Sequence, residues 1–256
     1  MQTRNISRYV FAVVVIGLGV LGAVRADFPP GFQPVPESMP GHMVLAYLAA
    51  AVCVACGTGL LFRSTAAFAS RLLFGWLLVW LLVLRVPWMV ISFEVGTWWA
   101  ASSTAIMTAA AWVLYAWHAS EWDRARFSFL TGDKGLRIAR TLFGLGLIPI
   151  GLAHFLYLDA TAPLVPPWLL WPVFWSYFTG AAFIVAGLAV IVGILARLAA
   201  TLAAVEIALL TLIVWMPIVL TGSPSAFQWD EFVVSILLTT CAWVVADSYR
   251  DKPTTT

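Results

Sequence analysis

Eight long apolar runs follow one another along this chain, and they decide what it can fold into. They cover residues 9–24, 43–62, 72–93, 98–118, 138–158, 172–196, 198–220 and 232–246. A helix that crosses the hydrocarbon core of a bilayer needs about 20 mostly apolar residues. The first and last runs fall short of that, and flanking interfacial residues or locally thinner lipid make up the difference. Barrel strands would alternate apolar and polar residues over about ten positions, whereas these runs are apolar throughout. Only 10% of the 256 residues are charged against 62% apolar, and a soluble domain carries about 25% charged residues. That composition excludes a soluble enzyme, a disordered tail and a nucleic-acid binder. The expected fold is all-α: a polytopic membrane protein of eight transmembrane helices.

The charges give the runs an orientation. With the N-terminus cytoplasmic, twelve of the fourteen basic residues fall on the inner side, among them Arg4, Arg8, Arg71, Arg140, Arg197 and Lys252. Arg25 lies outside and Arg85 lies within a span. Such a bias places both termini in the cytoplasm under the positive-inside rule. The outer loops hold Asp27, Glu37, Glu94, Asp159, Asp230 and Glu231, and seven tryptophans gather near the same face. They form either an aromatic belt at the headgroups or the lining of an outward pocket. Residues 1–26 also fit a secretory signal peptide, but the first run matches a later internal one, which favours a retained helix.

That match is part of a longer one. Arg8, Phe11, Gly19 and Asp27 recur as Arg140, Phe143, Gly151 and Asp159 at a spacing of 132. Tyr47, Gly57 and Pro87 recur as Tyr177, Gly187 and Pro217 at 130, and Trp112 recurs as Trp243 at 131. Order-preserving matches at a near-constant spacing indicate duplication. Residues 1–119 and 135–256 then form two four-helix units joined by a polar cytoplasmic linker, 120–134. An even number of helices per unit makes the repeats parallel. In each unit a proline-rich outer loop joins the first two helices: Pro29, Pro30, Pro34, Pro36 and Pro40 in one, Pro163, Pro166, Pro167 and Pro172 in the other.

Several motifs in the second unit carry a likeness. They are Gly144-Leu145-Gly146, His154-Phe155, Pro166-Pro167-Trp168-Leu169, Trp175-Ser176-Tyr177-Phe178-Thr179-Gly180 and Ala186-Gly187-Leu188. Together they resemble the DoxX-like family of four-helix bacterial membrane proteins, here in a duplicated form. The resemblance implies a helical-bundle unit, a bacterial inner membrane and a quinone-linked redox setting. The family pattern has a histidine before a proline near the outer end of each third helix. Here Arg85 precedes Val86-Pro87, Trp215 precedes Met216-Pro217, and Gly22 stands opposite His154, so most of such a site is lost.

Polar residues inside spans are candidates for function, because a central charge costs at least about 2.5 kcal/mol on insertion scales. Arg85 either snorkels outward to pair with Glu94 or Asp27, or contacts an anion or a quinone carbonyl. Glu206, an intramembrane acid in the inner third of its span, is neutralised by Arg197, protonated, or part of a proton relay. His154 and Asp159 stand five residues apart at the outer end of one span, beside Trp168, Trp171 and Tyr177. This group is the candidate ligand site, suited to a quinone or a lipid, because it combines a titratable pair with large aromatic surfaces. No second histidine lies at metal-ligand spacing, and no catalytic residue is assigned. Cys53-Val54-Ala55-Cys56 has the spacing of a thiol–disulfide pair, but in an apolar helix free cysteines act as small apolar residues.

Three functions compete on this inventory. One is an accessory or structural subunit of a membrane redox assembly, with membrane lipids and other membrane or redox subunits as partners. The second is a quinone-linked oxidoreductase using His154, Asp159 and Arg85. The third is a small-solute or lipid transporter working at the interface of the two units.

Overall fold

The computed structural model describes residues 2–92 and 94–250, with side chains from residue 6 onward except at position 95. The side chain of Arg4, the span end at Phe93, and Lys252 in the tail lie outside the described residues. All regular structure among the described residues is helical. Eight long helices follow in chain order: α1 (Gln2–Arg25), α2 (His42–Leu61), α3 (Ala66–Ser92), α4 (Val95–His118), α5 (Asp133–Leu156), α6 (Pro172–Val192), α7 (Ala196–Leu220) and α8 (Ala226–Asp247).

Seven of these are long and apolar enough to cross a membrane. The exception is α4, against the eight spans expected from the sequence. It carries Thr97, Ser102, Ser103, Thr104 and Thr108, and from Ala101 to Tyr115 it is buried by other helices. A helix enclosed by protein need not be apolar on every side.

Neighbours in sequence are neighbours in space from α1 through α8, and α8 closes back on α1. The ring is pinched where α4 and α8 touch across it, leaving one lobe around α1–α3 and another around α5–α7. Glycine sets the closest crossings. Gly144 and Gly151 of α5 lie against the Gly187 and Gly180 carbonyls of α6, and Gly57 of α2 lies against Ala12 of α1. Small residues let helix backbones approach where lipid supplies no hydrophobic drive to pack.

Two helices are locally widened. Residues Trp80–Arg85 of α3 and Thr211–Trp215 of α7 form π-helical turns. Each lies just before a proline, Pro87 or Pro217. A proline ring collides with the carbonyl four residues back, which is Val83 or Ile213, and the wider turn removes that collision while keeping the backbone bonded.

One end of the bundle is rich in arginine. There Arg8 approaches His118 at 3.5 Å, and Arg140 binds the Ser248 hydroxyl at 2.9 Å and lies over the Tyr249 ring. The linker docks at this end through Asp123, which is 1% exposed. Its carboxylate caps the short helix Glu121–Arg126 through Ser120, pairs with Arg71 at 2.9 Å and accepts from the Tyr115 hydroxyl at 3.1 Å. Burial pushes this carboxyl up, but the bonds from Ser120, Arg71 and Tyr115 outweigh it and hold it below its ordinary range. A depressed carboxyl stabilises the fold fully above its unfolded value, about 4, and that contribution disappears as pH falls through the folded value. Asp123→Asn is therefore expected to lower stability by about 2 kcal/mol at pH 7. Melting in detergent should show the gap to wild type closing as pH drops below about 4; a pH-independent gap would mean that the charge is not involved.

The proline-rich loop of the first lobe turns inward at the opposite end. Phe28 and Phe32 are buried, both rings against Trp80 at centroid distances of 5.3 and 5.2 Å. Arg85, 8% exposed, gathers the loop's carbonyls: Phe32 at 2.5 Å, Gln33 at 2.7 Å and Pro34 at 2.8 Å, with Nε directed at Thr104. Pairing with Glu94 or Asp27, one of the two alternatives the sequence left open for Arg85, is thus not formed. A buried guanidinium is satisfied equally well by several carbonyl dipoles, and the loop brings three within reach.

Candidate ligand cavity

The second lobe lacks such a plug. Its own proline-rich loop, residues 157–171, rests on α5 and α6, and beneath it lies a cavity of about 610 Å³. Walls come from α5, α6, α7 and α8, with Trp99 of α4 at one side. Phe178 of α6 and Leu202, Val205 and Leu209 of α7 line the cavity while also being exposed on the outside of the bundle. The cavity therefore reaches the surface between α6 and α7, among side chains suited to lipid.

The lining is mostly apolar, with a few polar atoms converging on it. Ser176 is 3% exposed and Thr161 is 9% exposed, and neither hydroxyl has a hydrogen-bond partner. Oε1 of Glu206 is likewise buried and unpartnered. Buried polar atoms are nearly always bonded, so three orphans around one cavity mark a place where something else makes those bonds. His154 donates Nδ1–H to the Ile150 carbonyl of its own helix at 2.9 Å. In the neutral ring that leaves Nε2 as an acceptor. Thr211 and Ser235 are bonded to each other at 2.5 Å, which sets α7 and α8 in register. Glu206 lies five residues to one side of that level and Glu231 four residues to the other. The two carboxyls are thus about 13 Å apart along the bundle at 1.5 Å per residue, Glu231 near the loop end and Glu206 level with the mouth residues Val205 and Leu209.

His154, Trp168 and Glu206, singled out in the sequence, all line this cavity. Four others do not. The expected pairing of His154 with Asp159 is not formed, because His154 lines the cavity while Asp159 is exposed on the short helix Leu158–Thr161. Trp171 precedes α6 with a left-handed backbone, φ 61°, and its side chain is 73% exposed. Tyr177 faces away and stacks on Phe155 at 5.2 Å. Arg85 belongs to the first lobe. Glu206 stands eleventh of the 25 residues of α7, near mid-helix rather than in an inner third, and Arg197 at the helix start is about 13 Å away along the axis.

Sequence reasoning missed Ser176, Thr161 and Glu231. Ser176 and Thr179 are one near-turn apart on α6, and Glu231 and Ser235 are one turn apart on α8, so each pair shares a face. That polar spacing in otherwise apolar helices was the available signal. Among the described residues no cluster of three His, Cys, Asp or Glu side chains could hold a metal ion. Cys53 and Cys56 are free and buried on α2, far from the cavity in sequence and in fold. No family model matches the chain, and neither a curated protein nor a solved structure does.

Proposed function

We propose that this is a membrane subunit that holds a lipid-soluble amphiphile in the second-lobe cavity, the amphiphile arriving sideways from the bilayer between α6 and α7. The observation that carries this reading is the combination of a lipid-facing mouth with unpartnered polar atoms in the lining. Its volume falls in the range that holds a drug-sized ligand, roughly 300–1,000 Å³. A quinone headgroup is the neutral candidate for it, and other membrane or redox subunits are the partners that such a holding role implies.

The reading includes an architecture. All eight long helices cross the membrane, with both termini on the arginine-rich, cytoplasmic side of a bacterial inner membrane. The two lobes descend from one DoxX-like four-helix unit. The π turns before Pro87 and Pro217 support this, as do the contact of α1 with α8 matched by that of α5 with α4. On this reading the first lobe kept a plug where the second keeps a pocket.

The test fills the pocket. Ala182 lines the cavity from α6, and Ala182→Trp occupies much of its volume. A diazirine-bearing long-chain alcohol, photolysed with the purified protein, is expected to label α6 and α7 peptides around the mouth. Ala182→Trp should cut that labelling several-fold with unchanged helicity. Equal labelling of all lipid-facing helices, indifferent to the substitution, would overturn the pocket.

A further inference from the structure

Resting on that pocket, we propose that the ligand is an apolar organic cation, of the alkyl- or arylammonium kind, held with its charge toward Glu206. Charge inventory is the first argument. The lining contains two carboxyl side chains, Glu206 and Glu231, and no lysine or arginine. Arg85 is committed to the carbonyls of the first-lobe loop, and Arg25 to Asp230, the residue before Glu231. An anionic ligand, whether a fatty acid or a phospholipid headgroup, would meet two acids with nothing to balance it.

Hydrogen-bond inventory is the second. The His154 donor Nδ1–H is spent on Ile150, the Thr179 hydroxyl on the Trp175 carbonyl, and the Trp175 indole on the Leu170 carbonyl. What remains facing the cavity is Oε1 of Glu206 without a partner, Nε2 of the neutral histidine as an acceptor, and the Ser176 and Thr161 hydroxyls, free both to donate and to accept. A neutral carbonyl ligand would engage the two hydroxyls and leave the Glu206 carboxyl unanswered. An ammonium group supplies donors and charge together.

The walls are the third. Trp99, Trp168, Trp175, Phe183 and Trp215 bring aromatic rings to the lining, and ring faces attract cations more strongly as water is excluded. A carboxylate alone in low dielectric is costly, and an ion partner relieves that cost. Glu206, level with the mouth residues Val205 and Leu209, and Glu231 toward the loop end then give a bound cation two acidic partners.

Two probes of one shape and opposite charge test this. Tetraphenylphosphonium and tetraphenylborate differ in charge and share their four phenyl groups. Equilibrium dialysis of the full-length protein in non-ionic detergent is expected to show saturable phosphonium binding, one per chain, that tetraphenylborate does not displace. Glu206→Gln keeps the shape of the side chain and should weaken binding by at least about tenfold, as loss of a buried charge partner does. Ala182→Trp should abolish it. If a decyl-quinone or tetraphenylborate binds in an Ala182-dependent way and the phosphonium does not, the cation is wrong and the pocket stands. Phosphonium binding that ignores both substitutions overturns the cation proposal by putting the site elsewhere. No Ala182-dependent binding of any of the three probes, together with unselective photolabelling, overturns the pocket as well.

Discussion

Gly151→Val is expected to separate α5 from α6 and cost on the order of 3 kcal/mol, at the upper end of what overpacking does. A Cβ at Gly151 would lie 2.5 Å from the Gly180 carbonyl oxygen, and one at Gly180 would lie 2.8 Å from the Gly151 carbonyl oxygen. Neither obstacle is the tip of a flexible side chain. Both are backbone, so the helices themselves must move, and the valine methyls add to the displacement. Because α5 carries His154 and α6 carries Ser176, the same movement opens one wall of the cavity. Gly17→Ala is the matching control: nothing lies within 4 Å of a Cβ there, and alanine in a helix is favoured over glycine by up to about 1 kcal/mol. Thermal unfolding in detergent should therefore show a large drop for Gly151→Val and none for Gly17→Ala. A Gly151→Val protein that melts with wild type would mean that the α5–α6 crossing contributes little to the fold.

The contrast between those glycines shows what the sequence reveals and what it withholds. Runs of apolar residues announce helices, because length and hydropathy are local properties, and seven of the eight runs meet both requirements in the structure. The one that fails, α4, is polar enough for its place only because the other helices surround it, which no local property shows. Pro87 and Pro217 announce a disturbance, but that it takes the form of a widened turn depends on backbone bonding. The site divides the same way. Chemistry marked His154, Trp168 and Glu206. Direction did not follow: Ser176 faces the cavity and Tyr177, one residue and 100° further round the helix, does not. Asp159 and Thr161 differ likewise, according to how a short loop helix happens to roll. Arg85 is the sharpest case. Its place within a span was readable, while its burial and its partners, carbonyls about fifty positions away, depend on the folding of an entire loop.

Arg85→Ala is expected to release that loop. The substitution removes donors from three carbonyls at once, of Phe32, Gln33 and Pro34, in a place where the guanidinium is 8% exposed. Hydrogen bonds to a charged group contribute about 1.5–3 kcal/mol each, and acceptors left buried add their own desolvation cost. Water reaching the loop end of the bundle recovers part of this, so a net loss of about 3 kcal/mol follows, in the range for breaking a buried polar network. Phe28 and Phe32 keep their contacts with Trp80 only while the backbone between them stays folded inward, so the loss should be cooperative. Lysine brings donors but no planar fork and reaches fewer of the three carbonyls; Arg85→Lys should fall between wild type and alanine. Hydrogen exchange across residues 28–36, with melting in detergent, separates the outcomes. Faster exchange confined to this loop, with a lowered melting point, is the expected result. Unchanged protection in Arg85→Ala would mean that the two phenylalanines hold the plug unaided, and that the arginine is buried there for a different reason.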